Sequence, residues 1–465
     1  MYIYIALEVK ARELEGRALL ASVAAERGHK VILGGKEDTR SLARKGFLPP
    51  GIVHDKSLGG SPYKKKILSD LLKNGHIVTS QDEESGLLDE SYARIINKYH
   101  SDCVEMTTFG FCWGDHDHSA IIERYPEYAS KFIKSGSPRV DLWRREFNPY
   151  YEKSGDYKID VGNYILIATN FSTVLNQNLF WNFISERRDK IGFAEEHEYE
   201  LYEMAAWQLK MMTAYIRAVR RLARECPDVN FILRPHPVEN INAWHKILGD
   251  IKNVQVIRSG GVNAWIRGAQ ALIQNSCTTA LEASVSGIPV ISFRPVKSNF
   301  EHRIPNSVGI EVDTDEELVN VVNKIANKRG ETDQVRHAQS QNINDIIHRR
   351  FCNVEGRFAA DVIVDHWERV GEKLHDNNNR FNGIQRFMFR NLLKSPISRI
   401  VLSSRDFIKR GAYSTKRYKL PDISHSEVEQ MISGFGSALG RFSNIRVSQF
   451  GRRSVLIEKG SGSGF

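Results

Sequence analysis

A histidine set between two prolines, Arg234-Pro-His-Pro237, is the most pointed arrangement in the chain. Proline fixes φ, so His236 is rigidly aimed, and an imidazole beside the Arg234 guanidinium can clamp phosphoryl oxygens through donated hydrogen bonds. The same two side chains could be used locally instead, Arg234 in a salt bridge and His236 on a turn carbonyl. Further along, Asn275-Ser-Cys-Thr-Thr279 leads into a helix that carries Glu282. The first N–H groups of a helix lack intrahelical partners and the helix dipole adds positive charge, so Ser276, Thr278 and Thr279 form a candidate anion site. Plain N-capping would use the same residue types. Glu282, one turn in, is placed to accept from a ribose or from the loop, or to stand as a surface carboxylate.

Carboxylates supply the second chemistry. Glu8, in Glu8-Val-Lys-Ala-Arg-Glu13, and the run Gln81-Asp-Glu-Glu-Ser-Gly86 each follow an apolar segment. Transfer of a glycosyl group needs a carboxylate base for the acceptor hydroxyl or a carboxylate nucleophile, and the candidates are Glu83 and Glu84 first, then Glu8. Solvated charges at a helix start are the alternative. Lys10 and Arg12 could neutralise an anionic donor or acceptor. Gly114-Asp-His-Asp-His118 has metal-ligand residue types, but adjacent loop residues rarely converge, so it reads as a turn entering a helix and no metal is assigned. Ser135-Gly-Ser-Pro-Arg-Val-Asp141 reads as a tight turn in which Arg139 and Asp141 could pair, either a hinge clasp, which is favoured, or part of the site.

These residues need strands that end where they stand. Apolar runs Tyr2–Leu7, Lys30–Leu33, Gly51–His54 and His76–Thr79 alternate with helical patterns, the rhythm of parallel βαβ units. Cys103–Met106 and Phe132–Lys134 extend the series. A second series runs through Tyr164–Ala168, a long helix over Glu195–Glu225, Asn230–Leu233, Val254–Ile257, Ala271–Gln274 and Val290–Phe293. The expectation is an α/β protein of two Rossmann-like doubly wound domains facing a cleft, the GT-B plan, over residues 1–145 and 146–370. Ligands of such sheets lie beyond the carboxyl ends of the strands, where the residues above fall.

Composition agrees with a folded chain. There are 465 residues, 41% hydrophobic and 26% charged, which excludes a disordered or polytopic membrane protein. Five scattered cysteines without CxxC spacing disfavour a disulfide framework and suit a reducing cytoplasm. The net charge of +9 is concentrated: residues 371–465 hold 17 Lys+Arg against 7 Asp+Glu, so the body is near neutral. A local anionic contact is expected, not a nucleic-acid groove. In this third segment, Arg386, Arg390 and Lys394 recur at helical spacing beside Ile384, Phe387, Leu392 and the further apolar candidates Phe389 and Leu393, as on a helix lying against anionic headgroups or, equally, as on an ordinary helix packed on the body. The expected location is cytoplasmic, peripheral to the inner face of the bacterial membrane.

The segments Glu8–Glu13, Asp82–Glu84, Gly136–Asp141, Thr169-Asn-Phe171, Arg234–Pro237 and Cys277–Ala283 resemble, in order and spacing, the bacterial surface carbohydrate biosynthesis proteins of lipopolysaccharide and capsule loci. The His-Pro motif with a downstream Ser/Thr motif is similar to that of transferases using CMP-activated acidic sugars, the Kdo and sialic acid transferases. The resemblance covers about residues 1–370. It implies that His236 and Ser276, Thr278 and Thr279 hold a nucleotide phosphate, that Asn170 binds substrate, and that an N-terminal carboxylate acts on the acceptor or the anomeric carbon. The implied partners are a nucleotide sugar, bound as substrate with no further cofactor, and a lipid-linked glycan. A non-hydrolysing sugar-nucleotide epimerase, a CDP-polyol phosphotransferase and a non-catalytic nucleotide-sugar scaffold are the competing readings.

Overall fold

The structure, a computed structural model, describes residues 1–85, 87, 95–153, 163–176, 195–327, 340–374, 383, 385–386, 389 and 420–460. It divides into two compact units, one formed by Met1–Lys153 with His348–Phe465, the other by Ser154–Ile347.

The first unit is built on an eight-stranded sheet. Strands β1 (Tyr2–Leu7), β2 (Lys30–Gly35), β3 (Gly51–Asp55), β4 (Ile77–Gln81), β5 (Phe109–Cys112) and β6 (Phe132–Lys134) run parallel in the order β2-β1-β3-β4-β5-β6. Their runs are apolar almost throughout because both faces are covered. Helix α1 (Lys10–Glu26) packs against the sheet through a buried surface from Leu14 to Ala25. Helix α2 (Pro62–Lys73) starts at Ser61, whose hydroxyl accepts from Lys64 N at 3.1 Å, with proline in the first turn. The expected strand at Cys103–Met106 is a helical turn, Ser101–Glu105, and the strand lies at Phe109–Cys112. So short an apolar run satisfies either period, and here Thr107 Oγ1 donates to Cys103 O at 2.8 Å in the i to i−4 manner of a helix.

Gly114-Asp-His-Asp-His118 does enter a helix, α3 (Asp115–Arg124). Asp117 caps it, accepting from Trp113 N at 2.8 Å and Gly114 N at 2.9 Å, and burial raises this carboxyl to about 6 against those bonds. The turn after β6 needs Gly136, at φ +75°, where a Cβ would run into the Cys352 carbonyl. Helix α4 (Pro138–Asp141) follows. Asp141 is not paired with Arg139: its two oxygens accept from Ala359 N and Ala360 N at 2.9 and 3.0 Å, while Arg139 lies over the Trp143 ring.

The second unit holds a six-stranded all-parallel sheet ordered β12-β11-β10-β7-β8-β9. Its strands are β7 (Tyr164–Ala168), β8 (Asn230–Arg234), β9 (Val254–Val256), β10 (Ala269–Gln274), β11 (Val290–Phe293) and β12 (Ile310–Val312). Helices α5 (Glu195–Glu225), α6 (Ile241–Leu248), α7 (Val262–Gly268) and α8 (Thr279–Val285) lie between them, and α9 (Asp315–Asn327) follows β12. The α9 start is a reciprocal cap: Glu317 N donates to Thr314 Oγ1 at 3.2 Å while Glu317 Oε2 accepts from Asp313 N at 2.9 Å. The core joins Ile165, Ile167, Phe231, Leu233, Tyr215 and Trp244.

Two Rossmann-like doubly wound domains are therefore present, but the chain is divided differently from the expected 1–145, 146–370 and 371–465. It returns to the first unit at His348. Helix α10 (Ala359–Gly371), helix α11 (His425–Leu439) and the hairpin β13 (Ile445–Gly451) and β14 (Ser454–Lys459) all belong there. Strand β14 pairs antiparallel with β2, Leu456 opposite Ile32, and covers an edge that would otherwise be open. Arg441 binds Glu26 at 2.6 Å and Asp361 at 2.9 Å, and Arg27 binds Asp361 and Asp365, tying α1, α10 and the end of α11 together. A cut placed by charge at Val370 could not see this pairing. Of the expected basic helix, Phe389 packs edge-on against Tyr2, whereas Ile384, Phe387, Arg390, Leu392, Leu393 and Lys394 lie outside the described residues. Among the described residues no helix is long and apolar enough to cross a membrane.

Candidate functional site

In the second unit β7 lies between β10 and β8, so the chain direction across the sheet reverses at β7/β10. Thr169-Asn170-Phe171, Arg234–Pro237 and Asn275–Thr279 leave the carboxyl ends of these three neighbouring strands. Asn170 Nδ2 donates to Ser276 O at 3.1 Å and bridges the reversal. All seven second-unit candidates thus stand at one sheet edge, on its three central loops or in the helix that follows.

Their environments differ. Arg234 donates to Ser259 O at 2.7 Å and to Gly260 O, and lies against Trp265, so its guanidinium holds the turn after β9. His236 is half-buried. Its Nδ1 accepts from Val238 N at 3.4 Å, which leaves the proton on Nε2, and burial keeps the imidazole pKa below its ordinary value. A neutral ring offering one N–H results. Ser276 is buried at φ +53°, its amide on Asn306 Oδ1 at 2.8 Å and its hydroxyl oxygen accepting from His302 N at 3.0 Å. Thr278 stands at the N-cap of α8, yet its side chain makes no capping bond. Thr279 Oγ1 faces Cys277 Sγ at 3.0 Å, and both threonines are partly exposed. Glu282 is buried in the first turn of α8 and not on its surface.

Behind this edge lie polar residues that the sequence reading did not single out. Gln274 Nε2 donates to Ser292 Oγ at 2.9 Å, and Gln274 Oε1 accepts from Cys277 N at 3.0 Å. Asn275 Nδ2 donates to Glu301 Oε1, which also accepts from Arg294 Nε at 3.0 Å. The turn bearing the threonines is thereby fixed from below by satisfied side chains. Glu239, fully buried, was also missed; it follows Pro237 by two residues and reads in sequence as a surface turn charge.

The first-unit candidates gather at the carboxyl edge of their own sheet. Glu8 accepts from Lys36 and Lys56, both at 3.1 Å; burial alone would raise its pKa, but the two ammonium groups hold it at about 2. Glu83, only 4% exposed, pairs with the buried Arg17, and desolvation raises its carboxyl above the usual range despite that partner. Glu84 is the accessible member, its side chain 48% exposed and paired with Arg12; burial works against ionisation, but Arg12 and Lys98 keep its pKa low. Lys10 is engaged by Glu427 at 2.7 Å and Asp422 O at 2.8 Å, at the start of α11.

No family model matches the chain, and no curated protein matches it. Among solved structures it is similar to the Staphylococcus aureus MnaA–UDP co-structure, at 15% identity over 80% of this chain and 96% of that one, with a TM-score of 0.45. It is similar to a Neisseria meningitidis UDP-GlcNAc 2-epimerase bound to UDP-GlcNAc, at 12% identity over 79% of this chain and 100% of that one, TM-score 0.45. The wall teichoic acid polymerase TagF is a third, at 10% identity over 70% and 72% of the two chains, TM-score 0.42.

Proposed function

We propose that the chain is a nucleotide-sugar-dependent glycosyltransferase whose donor is CMP-linked and whose acceptor is a lipid-linked surface glycan. One observation carries the donor assignment: the groups offered at the β8-β7-β10 edge are neutral donors. They are His236 Nε2, Asn170 and the hydroxyl of Thr278, while the Thr279 hydroxyl donates to Cys277 Sγ and the guanidinium groups of Arg234, Arg258 and Arg294 hold carbonyls or carboxylates. Neutral N–H and O–H donors match a single phosphodiester charge better than the two charges of a diphosphate. The carboxylate role falls to Glu84 and Glu8, which are accessible and ionised, with Glu83 as the counter-ion of Arg17. The lipid-linked acceptor rests on charge. From Phe387 to Lys419 the sequence has Asp406 as its single carboxylate among many Lys and Arg, a composition that favours an anionic bilayer surface.

A thermal-shift panel of CMP, CDP, UDP, GDP and their sugar conjugates tests the reading. A ligand at about 100 times its Kd stabilises by about 2.7 kcal/mol. Stabilisation by CMP that is lost in His236→Ala is the expected result. Selective stabilisation by UDP would replace it with an epimerase or hexose transferase, and no response to any nucleotide would leave a scaffold.

A further inference from the structure

We infer that Glu239 is a positioning residue of the nucleotide site, its buried carboxylate fixing the segments that carry Asn170 and His236 in one arrangement. The inference rests on the nucleotide-binding reading above. Glu239 Oε2 accepts from Thr169 Oγ1 and from Trp244 Nε1, and Glu239 Oε1 accepts from Phe171 N, each at 2.7 Å. Thr169 and Phe171 flank Asn170 on the loop after β7, and Trp244 is a fully buried residue of α6. The main chain of Glu239 joins the rest: its N–H donates to His236 O at 2.9 Å, and its carbonyl accepts from Arg258 Nη1 at 2.8 Å. Asn240 N donates to Leu175 O at 2.8 Å, closing the same two loops a second time.

The loops after β7, β8 and β9 and helix α6 therefore converge on one residue. Only a carboxylate serves these donors, because they reach two different oxygens. An amide at this position would turn an N–H₂ toward one set of them. Glu239 is 0% exposed, so it touches no ligand. Its effect on binding passes through Asn170 and His236, and binding groups held out of place by even a fraction of an ångström lose affinity.

The test measures CMP affinity by calorimetry in the full chain for wild type, Glu239→Gln, Thr169→Val and Trp244→Phe. Thr169→Val removes a bond on the site side of the carboxylate. Trp244→Phe removes one on the core side and leaves both bonds to the Thr169–Phe171 loop. We expect Kd to rise about tenfold or more in Glu239→Gln and severalfold in Thr169→Val, and to stay within twofold in Trp244→Phe although its melting temperature falls. The His236 ring signals in the NMR spectrum should move in Glu239→Gln and not in Trp244→Phe. If affinity simply follows melting temperature across the set, or if Glu239→Gln binds CMP as wild type does, Glu239 is a packing residue and the inference fails. Should Glu239→Gln not fold, the contrast between Thr169→Val and Trp244→Phe decides. Absence of binding by wild type to CMP and to every other nucleotide of the panel would instead overturn the nucleotide reading, and this inference with it; if wild type binds UDP and not CMP, the same four proteins are compared with UDP.

Discussion

Asp141 should make the protein respond to pH in the opposite sense from a buried acid in an ion pair, and replacing it with asparagine should remove that response. The carboxylate is fully buried and accepts two amides at the start of α10, yet desolvation raises its pKa to about 7. An unfolded aspartate ionises near 3.9. Between those values the folded form retains a proton that the unfolded form has released, so this group's contribution to stability falls as pH rises from about 4 to about 7 and is level above. From pH 5 to pH 8 the wild type should lose about 2.5 kcal/mol through Asp141, at 1.36 kcal/mol per unit of displaced pKa. Asp141→Asn does not titrate and keeps one acceptor for the two amides. It should therefore be less stable than wild type at pH 5 by about 1–3 kcal/mol, the cost of an orphaned buried N–H, and the gap should close or reverse by pH 8. Urea unfolding read by pulsed hydrogen exchange of peptides spanning 358–371 reports this helix and not the second unit. A gap that is constant with pH, or that widens toward pH 8, would refute the reasoning: the carboxylate would then be ionised and sustained by its amides.

Glu83→Gln should destabilise the first unit by about 3 kcal/mol, because it leaves the Arg17 guanidinium buried without its counter-charge. Arg17→Met combined with Glu83→Leu should recover most of that loss in the same urea titration. Gly136→Ala should cost about 2 kcal/mol or more, from a positive φ and a Cβ set against the Cys352 carbonyl. A loss below about 1 kcal/mol in the same urea titration would show that the turn can shift.

Most strands of both sheets were legible because parallel strands buried on both faces are written as continuous apolar runs, as in Lys30–Gly35 and Tyr164–Ala168. Three kinds of feature were not. Strand β12, Ile310–Val312, is too short to establish a period. The β13–β14 hairpin has a polar, half-exposed outer strand, and its place beside β2 depends on a pairing between chain positions hundreds of residues apart. Glu239 and Asn306 carry their meaning only in three dimensions, since a carboxylate two residues after a proline gives no sign that an indole and two loops will close over it. The strand-end residues Asn170, His236 and Thr278 in the second unit and Glu84 in the first could be found from sequence because fold topology alone sends each to the carboxyl edge of its own sheet. What each does there was not readable, because Arg234 and Ser276 are engaged by carbonyls and amides whose positions spacing does not determine.

The first unit's sheet is completed by β14, a strand made only after the whole of the second unit. During synthesis β2 must wait, with its outer edge unpaired, while the whole of residues 154–347 emerges and folds as a contiguous segment of its own. Contacts of such long sequence separation form late and slowly, and an open edge beside a hydrophobic strand is the part of a nascent chain most prone to misassociation. The second unit carries no such debt to distant sequence. Ribosome-bound chains should acquire the second unit first, and holdase chaperones should favour the first unit while it is still missing its hairpin.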